Sequence, residues 1–210
     1  MLANLRRSII SVVIFTAFFG FAYTLAGTGV AQVLFPHQAD GSITANGSTL
    51  IGQNWAATKC PGHPLGSCVF HGRPDDTGPY AANPKENISG GDNPLVANGV
   101  NGESAATNLG PRSKVLLADT EELIAYWHKL GVMSPTTDLV TTSGSGYDPD
   151  ITPADALVQV PMVSKATGVS PSALLRLVAK ETNGEELGFL GSRYIDVLQL
   201  NEGLASLEHR

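Results

Sequence analysis

Basic residues are scarce in this chain: 13 Lys and Arg stand against 19 Asp and Glu, only 15% of the residues are charged, and the net charge is −6 at pH 7. With no basic cluster to neutralise phosphates, nucleic acid is excluded as a partner. No Gly-x-Ser-x-Gly elbow is present, since Gly144-Ser145-Gly146 lacks the outer spacing, and no His or Asp is placed by sequence to complete a triad, which excludes a serine hydrolase. Most telling is where basic charge is missing. After Arg6 and Arg7 no Lys or Arg occurs until Lys59.

What fills that gap is apolar. The run from Ile9 to Ala26 carries no charge, and the uncharged stretch continues past Leu34, long enough to span a bilayer. Arg6 and Arg7 before it put the N-terminus in the cytoplasm and the remainder outside by the positive-inside rule. A cleaved signal peptide, with Gly29-Val30-Ala31 as its site, is the rival; the run exceeds the roughly 7–15 residues of such signals, which favours a retained anchor. Within it Thr16, Ala17, Gly20 and Thr24 are small residues at helical spacing that would let a partner helix approach closely. The expected organisation is a membrane anchor over 1–34 and one extracytoplasmic domain over 35–210. Because the chain is 42% hydrophobic but holds 23 Gly and 13 Pro, that domain should combine a packed core with long loops, above all at about 75–110.

Along the domain, Asn46-Gly47 between Ser42–Ala45 and Ser48–Gln53 suits a hairpin turn in which both central residues adopt positive φ, with Gln53 closing the strand end. Asn46 and Asn87 also begin glycosylation sequons, read as chance matches. The spacing Cys60-x-x-His63 and Cys68-x-x-His71 leaves three readings open: a disulfide, free thiols, or a metal site. Asp119 with Glu122 opens a helix that ends at Gly131, with Leu123, Trp127 and Leu130 on one face and His128 as a residue that complements the helix dipole. Thr152-Pro153 starts a second helix that stops at Gly168 and is kinked at Pro161, and Ser170-Pro171 starts a third that ends near Gly184. A short strand at Tyr194–Leu198 and a last helix capped by Asn201 complete an α+β fold.

Between the first two of these helices lies Asp138–Pro153, DLVTTSGSGYDPDITP. Gly144 and Gly146 allow positive φ, the hydroxyls of Thr141, Thr142, Ser143 and Ser145 can bond locally, and Asp148-Pro149 sets a turn. A fixed structural or docking loop is the expectation; Gly-x-Gly beside hydroxyls could also cradle a phosphate, but without a following Lys-Ser/Thr.

Taken in order behind one N-terminal membrane helix, Gly47-Ser-Thr-Leu-Ile-Gly-Gln53, Gly72-Arg-Pro74, Ser89-Gly-Gly91, Asn108-Leu-Gly-Pro111, TTSGSGYDP, Gln159-Val-Pro161 and Val197-Leu-Gln-Leu-Asn201 resemble the C subunit of the bacterial Kdp potassium-transporting ATPase. The resemblance covers most of the chain and assigns His71 to a Phe-His-Gly-Arg-Pro stretch. Departures are Asp75-Asp76 for the family's Ser-Ala, an insertion between Gly91 and Asn108, an insertion-like cysteine loop, and Asp150 where the family carries His.

The resemblance implies a non-catalytic subunit of a bacterial inner-membrane complex that imports potassium at the expense of ATP, together with a channel-like potassium-binding subunit and a P-type catalytic subunit. The chain itself lacks the Asp-Lys-Thr-Gly phosphorylation motif, a Walker A loop and a potassium filter sequence, and one membrane helix cannot form an ion pathway. Two roles follow. In one, the chain assembles and stabilises the other subunits; in the other, it binds ATP through Gln159, Ser143, Gly144, Ser145 and Gly146 and raises the nucleotide affinity of the catalytic subunit. The charge asymmetry places those residues outside, where ATP is scarce, and favours the first.

Overall fold

A computed structural model of the chain describes residues 2–53, 55–74, 106–145 and 148–208. The loop-rich stretch from 75 to 105, with Asp75-Asp76 and the sequon at Asn87, lies outside the described residues, as does Gly146. The chain divides into two compact units, Met1–Ile43 and Thr44–Arg210.

The first unit is dominated by one apolar helix, α1 (Leu2–Leu34), which is 33 residues long and reaches a mean hydropathy of 2.1 over its most apolar 18 residues, none of them buried. At about 1.5 Å per residue it exceeds the thickness of a hydrocarbon core. Its middle, Thr16–Tyr23, is π-helical. There the Thr24 hydroxyl donates to the carbonyls of Gly20 at 2.8 Å and Phe21 at 3.0 Å, supplying a donor where the regular ladder is interrupted. A single turn, α2 (Pro36–Ala39), follows.

The second unit combines helices with short strands, and the boundary between the units falls within the first strand. Ile43–Thr44 (β1) pairs with Gly47–Ser48 (β2), a shorter hairpin than the expected strands of 42–45 and 48–53. Only Gly47 of the turn pair adopts positive φ, at 147°. Asn46 instead donates its amide to Glu202 at 2.7 Å, and Gln53 folds back toward the Ser48 carbonyl.

Helix α3 (Lys114–Leu130) begins earlier than Asp119. Ser113 is the N-cap, its hydroxyl accepting from Leu116 N, and Asp119 lies inside the helix. The helix stops at Gly131, whose φ of 92° lets Val132 N reach back to Trp127 O at 2.9 Å. Leu123 and Trp127 are thereby held in the core, and the indole N–H donates to Leu139 O at 2.9 Å. Asp138–Val140 forms a 3-10 turn within the segment expected to be wholly loop.

Helix α4 (Pro153–Thr167) has a full capping box, with Thr152 accepting from Asp155 N while Asp155 accepts from Thr152 N. It runs as one element through Pro161, which sits on the exposed side, and ends at Gly168 with φ 75°. Helix α5 (Pro171–Glu181), capped by Ser170, buries Leu174, Leu177 and Val178 and ends ahead of the expected Gly184. Helix α6 (Val197–Glu208) packs against α5, and at their contact a Cβ on Gly203 would lie 2.6 Å from Leu177 Cδ1.

Asp150–Ile151 (β3) pairs antiparallel with Ile195–Asp196 (β4), setting Ile151 opposite Ile195 in the core and Asp150 opposite Asp196. The expected strand to Leu198 is cut short because Asp196 accepts from Gln199 N at 2.8 Å and so opens α6. Asn201 consequently lies within α6 and does not cap it.

Candidate functional site

Three of the family-like motifs, the central loop, Gln159-Val-Pro161 and Val197–Asn201, meet along the stretch Phe70–Pro74. Phe70 and His71 are both fully buried, so their backbone groups need internal partners. They find them in two side-chain amides. Asn201 on α6 accepts from Phe70 N at 2.8 Å and donates to Phe70 O at 2.9 Å. Gln159 on α4 accepts from His71 N at 2.8 Å and donates to His71 O at 3.1 Å and to Asp155 O at 3.2 Å. Each amide thus does for one residue what a neighbouring strand would do.

The imidazole of His71 is fixed as firmly. Its Nε2 donates to Gly66 O at 2.7 Å, its ring lies 5.4 Å from that of Trp127, and burial lowers its pKa to about 4, against the raising effect of the Gly66 carbonyl. Gly66 has φ 74°, and a Cβ there would meet His71 Nε2 at 2.7 Å and Ala56 Cα at 2.9 Å. Cys60 and Cys68 are joined by a disulfide that closes this loop. His71 is thus committed to the frame. Among the described residues no group of three or more His, Cys, Asp or Glu is placed to hold a metal ion.

Beyond His71 the stretch leaves the core. Arg73 donates to Thr142 O at 3.1 Å and lies 3.8 Å from both the Asp138 and Asp148 carboxylates, while Ser143 N donates to Pro74 O at 3.4 Å. The central loop is therefore docked along Gly72-Arg-Pro74. Arg73, Asp138, Asp148, Asp150, Arg193 and Tyr194 line an open cleft of about 390 Å³ here. Burial, then the nearby carboxylates of Asp148 and Asp196, push Asp150 up to about 6. Asp196 is raised too, chiefly by burial, against the lowering effect of hydrogen bonds from the N–H groups of Gln199 and Leu198. Carboxylates and guanidiniums in such a cleft can exchange ion pairs with a partner. Asp155 is not part of that exchange, since its carboxylate accepts from Thr152 N and from the Thr136 hydroxyl.

Of the residues considered for nucleotide, Gln159 and Ser143 meet the two ends of one stretch, at His71 and at Pro74. Gln159 is fully buried, Ser143 is 3% exposed, and the Ser143 and Ser145 hydroxyls lie 3.3 Å apart. Gly144 has open space on the side where a Cβ would stand. On α1, a Cβ at Gly20 would lie 3.8 Å from Thr16 Cγ2, and Thr24 bonds to the Gly20 carbonyl, so these three small residues adjoin. Ala17 has no such tie among the described contacts. Sequence reasoning missed the clamp by Asn201. Its signal was an amide on the apolar stripe of Val197, Leu200 and Leu204, where a polar group demands a partner.

The sequence matches the model of the family described as "K+-transporting ATPase, c chain" over residues 5–206. Among its relatives, the potassium-transporting ATPase KdpC subunit of Rhodopseudomonas palustris is 40% identical over 213 residues, covering 97% of both chains. The KdpC subunit of Methylorubrum extorquens is 40% identical over 216 residues, covering 100% of both, and that of Bradyrhizobium diazoefficiens is 40% identical over 213 residues. A match of this extent, across the clamped stretch, the docked loop and the apolar helix alike, means that the chain belongs to the KdpC family, the c chain of the potassium-transporting ATPase.

Proposed function

We propose that this chain is a non-catalytic assembly subunit, anchored by α1 in the bacterial inner membrane with its N-terminus in the cytoplasm and residues 35–210 outside. Its helix packs against partner helices through Thr16, Ala17, Gly20 and Thr24. Its outer domain docks on the channel-like potassium-binding subunit, stabilising it together with the P-type catalytic subunit. The observation that carries this reading is the double amide clamp. Gln159 and Asn201 spend their hydrogen-bonding groups on the backbone of Phe70 and His71, so the family motifs build a rigid frame and leave the Gln159 amide little capacity for a nucleotide. Support for the outer location comes from Arg6 and Arg7 ahead of an uncharged helix, and from a disulfide of the kind that persists in oxidising compartments.

The other role, ATP binding that raises the nucleotide affinity of the catalytic subunit, needs the Gln159 and Ser143–Gly146 region to face ATP. The two roles separate in one experiment on the assembled ATPase. With Gln159→Glu, the assembly reading expects a loss of subunit recovery and of thermal stability, with an unchanged KM for ATP in whatever complex forms. A raised KM for ATP in a fully assembled, equally stable complex would establish the nucleotide role instead.

A further inference from the structure

Between α5 and β4 the chain makes a tight hairpin whose tip is apolar and exposed to solvent. Its base is closed by Asn183 N to Tyr194 O at 2.8 Å and Tyr194 N to Asn183 O at 3.3 Å, and its neck by reciprocal 2.9 Å bonds between Glu186 and Leu190. Every residue from 184 to 193 is exposed. At the tip Leu187 is 82% exposed, Phe189 72% and Leu190 49%. Leu187 also adopts φ 53°, a left-handed conformation that bulky residues avoid, and Gly188 follows at 77°. A strained leucine beside an exposed phenylalanine, held on a hydrogen-bonded neck, gains nothing for the domain's own core. Such strain collects where a surface is shaped for a ligand or partner.

We propose that this hairpin tip is a docking knob that inserts Leu187, Phe189 and Leu190 into an apolar pocket with a basic rim on another subunit of the same ATPase. The charge around the tip selects that occupant. Glu185 and Glu186 precede it and Arg193 follows, two acidic side chains against one basic in the exposed stretch. Anionic headgroups of a bilayer surface attract basic segments and repel this one. A protein pocket rimmed by Lys or Arg accepts the apolar tip and its flanking carboxylates together, an apolar centre within a polar rim that is common at protein interfaces. A knob this small is an anchor within a larger interface, since a stable contact buries about 800 Å² on each partner.

The proposal rests on the reading of the chain as an assembly subunit, and the test separates the two. The full ATPase is expressed with a photo-crosslinking amino acid at position 189, and separately with Leu187→Ser plus Phe189→Ser and with Glu185→Lys plus Glu186→Lys. Light should join position 189 to another ATPase subunit. The serine pair should cut recovery of partner subunits on the tagged chain about tenfold, the loss expected when interface anchors are truncated, and the lysine pair should cut it in a salt-dependent way. Leu175→Ser, which alters a leucine 45% exposed elsewhere, should leave recovery unchanged. Crosslinks to lipid alone, or no crosslink with full recovery of the serine pair, would overturn the knob while leaving the assembly reading intact. Failure of the unaltered chain to recover any partner would overturn the assembly reading itself. The thermal transition of the serine pair, expected to equal the parent's because both residues are in solvent, shows that any loss is one of docking.

Discussion

Replacing Gln159 with leucine tests the clamp by removing its polar groups at nearly constant volume. Three bonds disappear: the one accepted from His71 N and those donated to the carbonyls of His71 and Asp155. His71 is fully buried, so its N–H and C=O are left without water, and an unsatisfied buried group costs about 1–3 kcal/mol. Asp155 O suffers least, since it remains within the helical ladder of α4. The net expectation is a loss of about 2–4 kcal/mol, which for a chain of this size lowers Tm by roughly 5–15 °C. Thermal unfolding of the full chain in detergent can be followed by the fluorescence of Trp127, whose ring lies 5.4 Å from that of His71. Asn201→Leu should cost a similar amount through Phe70, and the double variant should depart from additivity because both amides hold the same stretch. A Gln159→Leu chain as stable as the parent would refute the clamp.

Other expected outcomes concern charge, close contacts and assembly. Asp150 has its pKa raised in the folded state, so its contribution to stability is present below the unfolded value of about 3.8 and is lost as pH rises through about 6. Asp150→Asn should therefore stabilise the domain at pH 7, by about 1 kcal/mol once solvent screening of a half-exposed group is allowed for, and give no gain at pH 4; denaturant titrations at both pH values check this. His71 acts in the opposite sense, being held neutral: its contribution is present above about 6.5 and is lost as pH falls through about 4, which predicts acid unfolding across that window even in the Asp150→Asn chain. Gly66→Ala should destabilise by about 2 kcal/mol or more in urea, because its Cβ meets His71 and the Ala56 backbone under 3 Å, whereas Gly62→Ala, with positive φ but open space, should cost only about 1 kcal/mol. Gly20→Leu fills the small face shared by Thr16 and Thr24 and should weaken co-purification of the partner subunits, while unchanged recovery would assign that face to lipid.

What the sequence made legible was local. Thr152-Pro153 with Asp155, Ser170-Pro171, Gly131 and Gly168 carry their signals within a few residues, and α3, α4 and α5 start or stop at them. Asp119 misled because an acidic residue three before Glu122 mimics a capping box, whereas Ser113 gives the same signal without a Glu or Gln behind it. The clamp was out of reach for a different reason. Gln159 is 88 positions from His71 and Asn201 is 131 from Phe70, so no window of sequence contains both partners. The cleft is similar: Asp150 faces Asp196 only because β3 and β4 pair in one register, and that register is set by the core burial of Ile151 and Ile195.

The central claim, that the frame and its cleft stand outside the membrane as an assembly surface, is tested most directly by labelling an introduced cysteine. Met133→Cys suits this, because Met133 is 68% exposed and the native pair is closed as a disulfide. In intact spheroplasts carrying the whole ATPase, a membrane-impermeant maleimide should label position 133 as fully as it does after permeabilisation. Labelling that requires permeabilisation would place the domain in the cytoplasm, within reach of ATP, and contradict the account.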